Sequence, residues 1–174
     1  MLMKRREALQ RIAVLSATAA VLPACDFAPV PILENIPLER EQWRSLEWLA
    51  NQIIPMEGLE VTTPETRTDF VLRMVNDCYE PEDVEEFVAG LHGFEEYLMG
   101  QFETTYNRLD EEQTAQLLTQ LQEGEGNPKE IQYFFDTTRG LSRQHFTSSE
   151  YFLTTYLDYE FVPGRYLGCV PVEG

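Results

Sequence analysis

Histidine and cysteine are scarce in this chain: two of the first and three of the second among 174 residues. Neither His92 nor His145 has a second His or a Cys at metal-ligand spacing, and HExxH, CxxC and CxxCH are all missing. That excludes covalent haem attachment through CxxCH and argues against a zinc site. GxGxxG, GxxxxGK[ST] and GxSxG are absent as well, which removes the common dinucleotide, nucleotide-phosphate and serine-nucleophile routes. Basic side chains are also few, 13 Lys and Arg against 30 Asp and Glu, for a net charge of −17. Such a balance argues against nucleic acid as a partner, since its phosphates need Lys and Arg. The acidic pairs Glu80/Glu82, Asp83/Glu86, Glu95/Glu96 and Glu111/Glu112 fall where first turns and outward helix faces belong. They read as solvated faces and helix-dipole complement rather than acid–base machinery, which requires burial to split the two pKa values. No catalytic, cofactor-binding or metal-ligating residue is expected in this chain, so no cofactor of its own.

What is present begins at the N-terminus. Lys4, Arg5, Arg6 and Arg11 stand against a single Glu7, and Ile12 to Leu22 then runs uncharged. That run is too short to cross a bilayer, which takes roughly 20 apolar residues. The layout is that of an export signal over residues 1–24. Arg5-Arg6-Glu7-Ala8-Leu9 fits a twin-arginine motif, with Leu9 at the apolar position. Leu22-Pro23-Ala24-Cys25 is similar to a lipobox, making Cys25 the lipidation site; the alternative is an ordinary signal with an incidental Cys25. The mature chain would then be periplasmic, held to the inner membrane by acyl chains on Cys25, with Asp26 favouring that membrane. Removing a leader of four basic residues and one acidic residue takes the net charge from −17 to −20. Cys78 and Cys169 would be left to bridge each other or a partner.

Residues 25–37 hold Pro29, Pro31 and Pro37 and read as an extended tether. A helical domain follows over 38–162. Trp43, Leu46, Ala50 and Ile53 repeat at three and four residues until Pro55. Thr62-Thr63-Pro64-Glu65 predicts the next helix start, with Phe70, Val71, Met74, Val75 and Cys78 as its apolar stripe. Pro81 opens the longest helix, patterned from Val84 to Phe102 and expected to reach about residue 106. Asp110 with Gln113 predicts a capping box for a short helix ending at Gly124-Glu125-Gly126. Asn127-Pro128-Lys129-Glu130 predicts another start, with Ile131, Phe134, Phe135 and Leu141 inward and His145 in the connector beyond. Thr147-Ser148-Ser149-Glu150 opens a last helix to about Tyr159, and the tail 163–174 is irregular. No segment alternates at period two and no repeat is visible. The expected fold is all-α, a single bundle of five or six helices. Trp43, Trp48, Tyr133, Phe134, Phe135, Tyr151, Phe152 and Tyr156 are more aromatic surface than such a core needs, so some are free to anchor an interface.

Four stretches together resemble the gluconate 2-dehydrogenase subunit 3 family. They are the Arg5-Arg6 leader; Trp48 to Pro55, ending Ile-Ile-Pro; Asp69 to Tyr79 with Pro81-Glu82-Asp83 and Phe87 to Leu91; and Phe146-Thr147-Ser148 with Val162 to Pro171. The resemblance implies a non-catalytic small subunit beside a large FAD-containing subunit of the glucose–methanol–choline type. That partner oxidises a sugar, sugar acid or polyol and passes electrons to a cytochrome c. It also implies that the twin-arginine leader carries the folded pair across the membrane. Arg165, Tyr166 and Cys169 in the tail are the candidate contact with the flavoprotein; the alternative is a tail folded back on its own bundle through Cys169 and Cys78. A second reading of the whole chain is a free-standing periplasmic lipoprotein serving as a binding or scaffold module.

Overall fold

A computed structural model describes residues 30–59, 61–157, 159–160, 162 and 164. Among them are six α-helices, one 3₁₀ turn and no strand: α1 (Arg40–Ile53), α2 (Arg67–Cys78), α3 (Pro81–Phe102), the turn Tyr106–Arg108, α4 (Glu111–Glu123), α5 (Lys129–Thr147) and α6 (Glu150–Tyr156). The all-α expectation holds.

Local chemistry sets most of the boundaries. The backbone N–H of Glu39 donates to Gln42 Oε1 (2.8 Å) at the start of α1, and Ile54 turns extended ahead of Pro55, as residues before proline do. The start of α2 differs from expectation. Thr63 donates its hydroxyl to the Glu65 carbonyl (2.8 Å), so Thr66 becomes the cap and accepts from the Asp69 N–H (3.1 Å). Pro81 occupies the first turn of α3 with Glu82 and Asp83, where missing or acidic groups suit the helix N-terminus. That helix ends at Phe102, short of residue 106, because Glu103 adopts a left-handed conformation (φ 55°). The reversal lets Tyr106 fold inward and bury itself against α1. Asp110 and Gln113 form the expected capping box of α4 (2.8 and 3.2 Å), and Gly124 closes it at φ 73°. Pro128, rather than Asn127, caps α5. The Asn127 amide is diverted to the Gln120 carbonyl and Gln132 Oε1, while its carbonyl accepts from the Tyr97 hydroxyl (2.8 Å). The helix α5 continues to Thr147, so His145 is a buried helical residue rather than a connector residue. Ser149 then caps α6, accepting from the Phe152 N–H (3.2 Å), and the helix stops at Tyr156.

The central helix is α5, packed on α1, α2 and α3 and carrying α6 at its end. Phe134 stacks on both Phe87 and Phe94, with centroids 5.3 and 5.4 Å away. Leu46 and Leu49 of α1, Val71, Leu72 and Val75 of α2, and Leu117 and Leu121 of α4 complete one continuous core. The closest crossing is α3 on α5 at Gly90, where a Cβ would meet the Glu130 carbonyl oxygen at 2.1 Å and Phe134 Cβ at 2.5 Å. Only glycine fits that crossing.

The described part of the proline-rich segment, 30–37, is extended yet integrated into the bundle. Ile36 is 1% exposed, and Val30 and Leu33 pack on the core. The burial of an apolar side chain two residues before the first helical period is a tertiary effect that periodicity does not register.

Candidate partner interface

The only described helix with no buried residue is α6. Seven residues are too few for an isolated helix in water, so α6 stands on its cap and on Phe152, whose ring packs edge-on against Phe146 of α5 (5.4 Å). From there a ladder of rings runs outward: Phe152 to Tyr156 at 5.2 Å and Tyr151 to Tyr156 at 6.3 Å. Desolvation by its neighbours, then the charge and hydrogen bond of the Tyr156 hydroxyl, push the Tyr151 phenol above its ordinary pKa. After the helix, the Tyr159 N–H donates to the Leu153 carbonyl (3.1 Å), folding the chain back. The result is an open groove of about 530 Å³ lined by Ser148, Glu150, Leu153, Thr154 and Tyr159. Tyr156 is 59% exposed, Leu157 60% and Val162 73%. Four large apolar or aromatic side chains, Tyr159 included, therefore meet solvent within seven residues. Aromatics rimmed by polar groups in this way match the composition of a protein-binding surface.

Elsewhere the polar chemistry is internal. Buried Arg67 donates through Nη1 to the Ala50 and Ile54 carbonyls, supplying the cation that the last turn of α1 lacks; burial draws its pKa down. His145 stacks on Phe70 (5.3 Å) and holds the Glu65 carbonyl through Nε2 (3.3 Å). His92 lies exposed and bonds the Pro37 carbonyl (3.0 Å). Tyr106 donates to Glu41 (3.2 Å), and burial followed by that carboxylate pushes its phenol up to about 12. Desolvation, then the charge on Glu41, also raises the pKa of Glu95. Burial, then a hydrogen bond with Asp83, lifts Tyr133 to about 12 as well. Arg67, His145, His92, Tyr106 and Tyr133 each tie one segment to another. Among the described residues no three His, Cys, Asp or Glu side chains are grouped to hold a metal ion.

Of the eight aromatics singled out in the sequence, Trp43, Phe134 and Phe135 are buried in the core. Trp48 and Tyr133 are half-buried against it. Tyr151 and Phe152 are half-buried and Tyr156 is exposed, and the three rings form the ladder of α6. Leu157, Tyr159 and Val162 belong to the same surface, although helical periodicity gave no reason to pick them. Their closeness to a short terminal helix was the one signal that could have found them. Cys78, expected in the apolar stripe of α2, is exposed at its last position instead. Arg5, Arg6, Leu9, Cys25, Arg165, Tyr166 and Cys169 lie outside the described residues.

The family description "Gluconate 2-dehydrogenase subunit 3" matches residues 40–164. The chain belongs to the gluconate 2-dehydrogenase subunit 3 family. The match begins at the first residue of α1 and takes in all six helices and the exposed α6 surface. It stops just before Arg165, Tyr166 and Cys169. The family's name describes one subunit of a multi-subunit dehydrogenase. No curated protein and no solved structure gives a significant match.

Proposed function

We propose that this chain is the non-catalytic small subunit of a periplasmic FAD-dependent dehydrogenase of the glucose–methanol–choline type. The large subunit would bind FAD and oxidise a sugar, sugar acid or polyol, with a cytochrome c as electron acceptor. The small subunit serves the export, maturation and stability of that flavoprotein. The family match over the whole helical body carries the reading. The exposed Tyr156, Leu157, Tyr159 and Val162 around α6 support it by offering a surface that a large partner can bury. The leader adds the route: a twin-arginine signal at Arg5-Arg6 moves already folded cargo, and Cys25 supplies the anchor.

Export provides the test. In cells carrying both subunits, Arg5→Lys with Arg6→Lys should leave the flavoprotein in the cytoplasm, folded and flavin-loaded. A flavoprotein that still reaches the periplasm in that background would defeat the escort role.

A further inference from the structure

Residues 30–37 do not behave as a loose leash. The Asn35 N–H donates to Asn76 Oδ1 (2.9 Å), and the Asn35 side-chain amide also donates, to the Asn76 carbonyl (3.1 Å). Ile36 is sunk in the core and the Pro37 carbonyl is held by His92 of α3. Val30 to Glu34 lie along α2 beside Asp69, Arg73, Asn76 and Asp77. The strap is thus hydrogen-bonded at its Asn35–Pro37 end and packs through the half-buried Val30 and Leu33 towards the other, along one flank of the bundle. Between Cys25 and Val30 there are five residue steps, which span at most about 17 Å even fully extended. Two packed helical layers are roughly 20 Å thick, and α3 alone, at 22 residues, is about 33 Å long. A link of that reach cannot pass around the bundle to present another side.

We infer that lipidation of Cys25 fixes the bundle's orientation, holding the α2 flank that carries Asp69, Arg73, Asn76 and Asp77 against the bilayer surface. Ile32, fully exposed on the strap, is the apolar side chain this flank offers to the headgroup region. The partner is a lipid surface, and the attachment is steric. The strongly acidic chain gains nothing from anionic lipid, so the anchor and the strap do the positioning. The inference rests on the lipoprotein reading of Cys25.

Photo-crosslinking on the full mature chain tests it. Benzoylphenylalanine replaces Asp77 on the strap flank or Gln116 on α4, which lines no part of the strap groove. The protein is purified from membranes and reconstituted in phosphatidylethanolamine–phosphatidylglycerol vesicles. Mass spectrometry of the N-terminus is read first, then lipid adducts are counted. Acylated protein should give several-fold more adducts at 77 than at 116. A flexible insert of about 20 Gly and Ser residues between Phe27 and Ala28, with a root-mean-square reach of roughly 25 Å, should erase the preference without touching the bundle. Equal adducts on acylated protein, or a preference that survives the insert, overturn the fixed orientation alone. An N-terminus without acyl chains overturns it together with the lipoprotein reading.

Discussion

At the scale of single residues, two glycines of α3 make opposite demands. Alanine is the better helix former by about 1 kcal/mol, so in open space Gly→Ala should stabilise. A methyl group added at Gly100 would meet nothing within 4 Å, and Gly100→Ala should raise stability by up to about 1 kcal/mol. At Gly90 the same methyl collides with the Glu130 carbonyl and Phe134 Cβ, and backbone cannot swing aside as a side chain can. Gly90→Ala should cost about 3 kcal/mol, as overpacked cores do. Urea unfolding of the two variants checks the pair, and equal effects would refute the tight crossing. The tyrosines give a pH signature. Tyr106 and Tyr133 sit near 12 in the fold against about 10 in the unfolded chain. The unfolded state therefore loses these protons first, so their contribution is intact below pH 10 and lost as pH rises through 12. Stability should fall across that window. Tyr106→Phe should make the fall shallower, as read from thermal midpoints at a series of alkaline pH values. Arg67 illustrates what residue-level reading cannot foresee. Its role depends on the carbonyls of Ile54, just past α1, and Ala50, thirteen and seventeen positions away, and no local pattern announces such a pairing.

At the scale of elements, legibility followed the range of the deciding interaction. The Asp110–Gln113 box and the Gly124 stop are settled within four residues, and both stand where the sequence placed them. The start of α2 moved because Thr63, Thr66 and Pro64 compete over one turn, and the Thr63 hydroxyl went to Glu65. The end of α3 moved because Tyr106 is worth more buried on Trp48 and Glu41 than continuing a helix. The extension of α5 to Thr147 has the same origin: His145 is held by Phe70 and Glu65 of a distant segment. The surface around α6 was legible in part, since Tyr151, Phe152 and Tyr156 stood out as surplus aromatics while Leu157, Tyr159 and Val162 did not. Replacing Leu157, Tyr159 and Val162 together by Ser removes largely exposed apolar surface and leaves the Tyr151, Phe152 and Tyr156 ring contacts in place. The thermal midpoint of the isolated chain should stay put while affinity for the proposed flavoprotein falls at least about 30-fold, the effect of losing one hot spot. Calorimetry and a binding titration separate the two quantities. A lowered midpoint with unchanged affinity would make α6 a structural cap instead.

At the scale of the molecule, the all-α bundle was readable because every core helix carries its own 3.6-residue stripe and few cysteines or special motifs intrude. The integration of residues 30–37 was not, since an extended strap has no period and its seat on α2 exists only after folding. The gluconate 2-dehydrogenase subunit 3 family, to which the chain belongs, is named for one subunit of a multi-subunit dehydrogenase. A small acidic bundle with apolar and aromatic side chains exposed around α6 offers a face to another protein. We propose that this other protein is a flavin dehydrogenase subunit. Affinity purification of the tagged chain from its native envelope tests that most directly, with the visible spectrum of the eluate recorded. A stoichiometric large subunit bearing flavin absorption is the predicted result. A colourless eluate holding this chain alone, still soluble and helical, would contradict it.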